Sequence, residues 1–141
     1  MSDRLLETIP LRNGLALEFW DESRPTAGDR WYVAVRAVVA VPLAGRVFDD
    51  PLEEIVDFMR KEVGETIHYR FLEEKHFVPA QEVAGQQREL MRIFSENNLK
   101  YLSHPNFPGH FIRRKASEIQ AKKGWPGKHV QKILEDLRGP R

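Results

Sequence analysis

The fold is decided by residues 30–43, which read RWYVAVRAVVAVPL. Every odd position in this stretch is apolar, and most even positions are small or apolar, with Arg36 as the interruption. A strand that is covered on both faces has such a pattern, and Pro42 marks its end because proline cannot donate a ladder hydrogen bond. We therefore expect residues 30–43 to form the central strand of a sheet.

A β-hairpin is predicted before this strand. Two short runs of alternating apolar character, 5–11 and 15–20, flank a loop that contains an Asn-Gly pair. A two-residue loop would place the apolar rows of the two strands on opposite sides of the sheet. A three-residue loop, with Gly14 in the left-handed region, instead pairs Leu11 with Leu15 and puts both rows on one face. The bulged turn is therefore expected.

A helix is predicted after the central strand. Asp50 can cap its start, Pro51 suits the first helical position, and Glu53 completes the spacing of a capping box. Gly64 is placed to end the helix. One apolar stripe runs along it, formed by Leu52, Ile55, Val56, Met59 and Val63.

The rest of the chain predicts one strand and three helices. Alternation over 65–78 indicates a strand with a polar, solvated face, which bends or ends near 73–76. Helical spacing follows over 79–102, then over 111–119 and 130–137, with Pro- and Gly-containing breaks between them. The order is β-β-β-α-β-α-α-α, which predicts an α+β fold with a four-stranded, mainly antiparallel sheet and helices packed on one face.

The charge of the chain is divided along its length. Residues 1–99 hold 12 Lys/Arg and 18 Asp/Glu, whereas residues 100–141 hold 10 and 3. A chain of 141 residues is the size of one domain. We expect a single domain over 1–141, with the sheet and first helix in 1–78 and a helical part with a basic tail in 79–141. Such a tail can bind an anionic partner, or it can lie against the acidic part of the same chain.

The basic tail holds the candidate nucleic-acid-binding residues. They combine cations that contact phosphates with a ring that stacks on bases, and they are Arg113, Arg114, Lys115, Lys122, Lys123, Trp125 and Lys128. The same charges also fit the solvated outer faces of ordinary amphipathic helices. The motifs of the common nucleic-acid-binding folds are absent from the sequence, which favours the second interpretation.

A catalytic alternative lies in residues 20–31, which cluster carboxylates with arginines. Asp21 and Asp29, held near Arg24 and Arg30, would make an acid/base or ion-pair site. A structured connection between strands uses the same residue types, with Asp and Ser bonded to turn amides and Arg paired to the acids. The turn interpretation is the favoured one, so no catalytic residue is assigned.

Metal and cofactor chemistry has little basis in the sequence. The chain contains no cysteine, and its five histidines do not form a zinc-binding motif. No metal site and no cofactor are therefore predicted.

A contact domain is the leading functional hypothesis. No apolar run approaches the roughly 18 residues of a membrane span, which favours a cytoplasmic protein without a membrane partner. A good core pattern without a catalytic constellation favours a non-enzymatic domain that acts through protein–protein contacts, with homodimerisation as one form. The alternatives are nucleic-acid binding by the basic helices and an enzyme with its site at 20–31.

Overall fold

The computed structural model describes residues 4–122 and 127–139. Over these residues the elements follow in the order β1 (Arg4–Pro10), β2 (Ala16–Asp21), β3 (Arg24–Pro25), β4 (Arg30–Pro42), α1 (Leu52–Val63), β5 (Thr66–Pro79), a 3-10 turn (Ala80–Glu82), α2 (Val83–Leu102), α3 (Phe107–Lys122) and α4 (Gly127–Leu137). The α+β fold with an antiparallel sheet is confirmed. None of the described helices is long and apolar enough to cross a bilayer.

The sheet is built around β4, as its composition predicts. Its strand order is β1-β2-β4-β3, and β5 also pairs with β4. The short strand β3 continues β2 along the same edge of β4, because Asp21 faces Val35 and Arg24 faces Tyr32 in one unbroken register. Because β2 and β3 share one edge of β4, the five strands fill four positions in the sheet, which is the number that the sequence predicts.

The β1–β2 hairpin has the bulged turn. The Leu11 N–H donates to the Leu15 carbonyl at 2.8 Å, and the Gly14 N–H donates to the Leu11 carbonyl at 3.1 Å. Gly14 has φ of +90°, as the turn requires. Asn13 ties this hairpin to the end of α2, since its amide donates to the carbonyls of Leu102 at 2.8 Å and His104 at 3.0 Å.

The start of α1 differs from the predicted capping box. Pro51 is the N-cap residue, and no side chain caps the helix there. Glu53 accepts a hydrogen bond from the Phe48 N–H at 2.9 Å, so its carboxylate is engaged before the helix begins. The predicted end is confirmed at Gly64, which has φ of +113° and donates to the Arg60 carbonyl.

The strand predicted over 65–78 is confirmed as β5, which runs from Thr66 to Pro79 and does not end at 73–76. The predicted start of α3 is wrong. The chain break expected before residue 111 is shorter, because α3 already begins at Phe107. Phe107 and Pro108 are both buried, and their burial stabilises this first turn.

The contacts of the chain divide into two units. Unit 1 comprises Met1–Val39 and Arg70–His104, and unit 2 comprises Ala40–Tyr69 and Pro105–Arg141. In unit 1, Phe94 of α2 packs against Phe19 and Phe71 with ring centroids 5.8 and 5.7 Å apart. The expectation of a single domain is not tested by this grouping and stays a prediction.

Unit 2 has a core of its own. Helix α1 contacts both α3 and α4, and the latter two contact each other. The Tyr69 ring lies 5.8 Å from those of Phe107 and Phe111. Buried side chains of α3 and α4 complete this core, as their spacing predicts: Ile112, Ala116, Ile119, Leu134 and Leu137.

Candidate functional site

Four exposed side chains of unit 1 surround the buried Tyr32. Arg24 comes from β3, Tyr32 from β4, and Glu74, His76 and Phe77 from β5. We call these five residues the aromatic cluster. Arg24 belongs to the 20–31 connection, but the sequence does not link it with the other four, because they are brought together by strand pairing.

The backbone of β5 is irregular near its end. The rings of Tyr32 and His76 lie 5.0 Å apart, and beyond the strand the Ala80 N–H donates to the Asp29 carbonyl at 2.8 Å. Phe77 has φ of +58°, in the left-handed region that bulky residues rarely adopt.

Phe77 faces solvent. It is 77% exposed, and the one described ring contact it makes is with its neighbour His76, at 6.3 Å between centroids. Left-handed φ is rare for a bulky residue, and an exposed phenyl ring gains little from burial. Burial in the folded chain therefore does not account for a phenyl ring at this position.

Hydrogen bonds organise the polar part of the cluster. The Tyr32 hydroxyl donates to Glu74 Oε2 at 2.6 Å, and His76 Nε2 lies 3.5 Å from Glu74 Oε1. The hydrogen bond from Tyr32, followed by that from His76, lowers the pKa of the Glu74 carboxyl. Burial and the carboxylate of Glu74 raise the pKa of Tyr32. At neutral pH the pair is therefore a neutral phenol bonded to a carboxylate.

Arg24 completes the cluster. Its guanidinium carbon lies 4.3 Å from the centre of the Tyr32 ring, which is a cation–π contact. No carboxylate of the described residues forms a close ion pair with Arg24, although the charge of Arg24 helps to lower the pKa of the Glu74 carboxyl. The cluster thus presents a positive group, a negative group and an exposed phenyl ring together.

The rest of the 20–31 connection is a structured turn. Asp21 accepts from the Ser23 N–H at 2.8 Å and faces Arg4 at 3.4 Å, while Asp29 pairs with Arg30 at 3.7 Å. Each acid is thus paired with a different cation. These are the contacts that the turn interpretation predicts.

Two neighbouring residues of this connection support the sheet. Glu22 holds Arg36 through two hydrogen bonds of 3.0 and 3.1 Å. The Ser23 hydroxyl accepts from the Ala34 N–H at 3.0 Å and from the buried amide of Gln87 at 3.3 Å.

The structure separates the predicted nucleic-acid-binding residues into three groups. Arg113 and Arg114 are exposed on α3. Lys115 is half-buried and pairs with Glu118 at 3.4 Å, and Lys122 is half-buried at the end of the helix. Lys123 and Trp125 lie outside the described residues, as does the side chain of Lys128.

The two exposed arginines contact aromatic rings rather than acids. The Arg113 guanidinium lies 5.4 Å from the centre of the Phe48 ring, and that of Arg114 lies 5.9 Å from the Phe111 ring. Neither forms an ion pair with a described carboxylate.

The histidines do not form a metal site among residues 4–122 and 127–139. No group of three or more His, Asp or Glu side chains in this part of the chain is arranged to hold an ion. His68 donates from Nδ1 to the Leu137 carbonyl at 3.1 Å, which ties β5 to α4 within unit 2. A structural role therefore accounts for His68.

An apolar groove lies between α1, α3 and α4 in unit 2. Its volume is about 510 Å³, and its lining includes Ile55, Phe58, Ile119 and Val130. Exposed charged groups form its rim. This lining offers apolar contacts without a buried acid or base, so it does not resemble a catalytic pocket.

Comparison of the chain with protein-family models, with curated proteins and with solved structures finds no match. Functional inference therefore depends on the residues themselves.

Proposed function

We propose that this protein is a non-enzymatic domain that acts through protein contacts, with the aromatic cluster as its contact surface. The observation that supports this most directly is Phe77, a residue that is 77% exposed and has φ of +58°. A contact with another protein would bury this ring, and the removal of its apolar surface from water would favour binding.

The neighbours of Phe77 suit a contact surface. Aromatic side chains and arginine are the residues that contribute most to binding at protein interfaces. Tyr32 holds Arg24 by its ring and Glu74 by its hydroxyl, so both charged groups are positioned before a partner arrives. A positioned side chain loses less conformational entropy on binding.

Site-specific photo-crosslinking tests this proposal. We would place p-benzoylphenylalanine at Phe77 and, in a control chain, at Tyr101, an exposed ring of α2 in the same unit. After irradiation of expressing cells, the partner would be identified by mass spectrometry and then purified. We expect a discrete adduct from position 77 only, and binding of the purified partner weakened by about tenfold or more in Phe77→Ala.

Equal adducts from the two positions, or undiminished binding by Phe77→Ala, would contradict the proposal.

Nucleic-acid binding is the second candidate function. The observation in its favour is that Arg113 and Arg114 are adjacent, exposed and without a carboxylate partner among the described residues. It ranks second because two phosphate contacts give only weak, sequence-independent affinity. Its test is an oligonucleotide titration, which is described in the Discussion.

A further inference from the structure

We infer that the partner of the aromatic cluster is a second copy of this chain, bound across a twofold axis. This inference rests on the proposed function and names the occupant of the same surface. In a twofold contact the same patch is used by both copies, so each group on the patch must find its complement on that patch. The aromatic cluster meets this condition in its charges and in its apolar group.

The charges of the cluster are self-complementary. Arg24 forms no close ion pair with a carboxylate of the described residues, and Glu74 is an exposed carboxylate whose pKa the charge of Arg24 helps to lower within the same copy. Each oxygen of Glu74 holds one neighbour, Tyr32 or His76, and retains acceptor capacity. Across a twofold axis, Arg24 of each copy can face Glu74 of the other, which makes two equivalent ion pairs.

A partner with a surface of one sign suits the cluster less well. An acidic surface would bind Arg24 but meet Glu74, and a basic surface would bind Glu74 but meet Arg24. Like charges brought together at an interface cost affinity. A second copy presents an acid to Arg24 and a base to Glu74.

The apolar group can also be buried symmetrically. Phe77 is exposed beside His76, with ring centroids 6.3 Å apart. Near the axis the two Phe77 rings would bury each other, and aromatic pairs with centroids about 4.5–7 Å apart are favourable. One contact would thus bury the exposed ring and pair both charged groups.

Sedimentation equilibrium tests the inference on the whole chain. From about 1 to 200 μM we expect a monomer–dimer equilibrium, weakened about tenfold or more by Phe77→Ala. The matched control is Val47→Ala, which changes a side chain that is 87% exposed in unit 2 and should leave the equilibrium unchanged.

A charge-exchange experiment tests the geometry. Arg24→Glu alone places acids opposite each other, and Glu74→Lys alone places bases opposite each other, so each variant should be monomeric. An equimolar mixture should form heterodimers, because every cross-axis pair is again of opposite sign. A merely structural role of Arg24 or Glu74 would not produce this recovery.

A disulfide experiment gives a readout that does not depend on the charged variants folding. The chain has no cysteine, so Phe77→Cys introduces a single thiol. Under mild oxidation at about 10 μM we expect disulfide-linked dimers to form at least about tenfold faster than in Val47→Cys.

The possible results separate the inference from the proposed function. A monomeric wild type up to about 200 μM, together with equal disulfide rates for Phe77→Cys and Val47→Cys, would overturn the second copy as partner. Photo-crosslinking of position 77 to a different protein would then leave the proposed function standing. The absence of any adduct at position 77 would overturn both.

Discussion

Gly14 shows how one residue supports the hairpin. Its φ is +90°, and a Cβ built at this position would meet no heavy atom within 4 Å. The cost of a side chain is therefore conformational rather than steric. We expect Gly14→Ala to lower the free energy of unfolding by about 1 kcal/mol, measured by urea denaturation.

The control is the same substitution at Gly85, in the first turn of α2, where no positive φ occurs and the nearest atom to a built Cβ lies at 3.8 Å. Gly85→Ala should stabilise the protein, by up to about 1 kcal/mol, because alanine is the better helix former. Equal effects of the two changes would contradict the bulged turn.

Glu74 provides a second test at the level of a residue. The hydrogen bond from Tyr32 is the largest cause of its lowered pKa, so Tyr32→Phe should raise that pKa toward the ordinary value of 4.5. The measurement is an NMR titration of the side-chain carboxyl carbons. Glu89, whose pKa is lowered by Arg92, serves as the internal control and should not change.

The direction of the associated stability change follows from linkage. A carboxyl whose pKa is lowered by folding stabilises the folded state above its unfolded pKa, which is near 4.5, and this contribution disappears as the pH falls through the lower, folded value. Acid denaturation of Tyr32→Phe should therefore depend less on pH below about 4.5 than that of the wild type. An unchanged Glu74 pKa in the variant would show that the hydrogen bond is not formed in solution.

At the level of the element, β4 has more buried residues than any other described strand. Val35 and Val39 are almost wholly buried on this strand. Replacing either residue by alanine should lower the free energy of unfolding by about 1–3 kcal/mol, because the lost methyl groups leave a cavity in a packed layer. Thermal or urea unfolding measures the loss.

Val47 again supplies the control, since it lies outside β4 and is 87% exposed. Val47→Ala should change the stability by less than about 0.5 kcal/mol. A similarly small effect at both Val35 and Val39 would mean that β4 is not the centre of the packed layer.

At the level of the whole molecule, the charge asymmetry of the sequence is largely compensated within each unit. Unit 1 contains 10 Lys/Arg and 11 Asp/Glu, and unit 2 contains 12 and 10. In unit 2 the basic helix α3 contacts α1, whose residues 53–62 include four acids and two bases, and α4, which also contacts α1, carries two bases and two acids. This arrangement supports the interpretation in which the basic tail balances an acidic part of its own chain.

The oligonucleotide titration decides whether the basic helices also bind nucleic acid. We expect no binding of labelled single- or double-stranded oligonucleotides to the wild type at low salt, where electrostatic attraction is strongest. The variant Arg113→Gln, Arg114→Gln, Lys115→Gln should differ in stability by no more than about 1 kcal/mol, since its ion pairs are exposed or half-exposed.

Binding by the wild type would contradict this expectation. If the three residues then contact phosphates, each lost contact in the variant should reduce the slope of log affinity against log salt by about one unit.

The sequence by itself determined the elements and their order. Periodicity is a local property, because residues two or three to four apart share a face of a strand or helix whatever the rest of the chain does. The central strand, the apolar stripe of α1 and the Gly14 turn could all be predicted for this reason. The capping of α1 could not be predicted from the sequence. Glu53 accepts a hydrogen bond from the Phe48 N–H, and only the folded loop brings that group within reach of the carboxylate.

The tertiary structure decided which residues form the contact surface. Ile67 is buried at an odd position of β5 and Val78 at an even one, so strict alternation does not hold along the whole strand. Phe77 is exposed next to Val78, and its ring lies 6.3 Å from that of His76. Strand pairing joins residues more than 40 positions apart, so its register depends on the whole sheet and not on the local sequence.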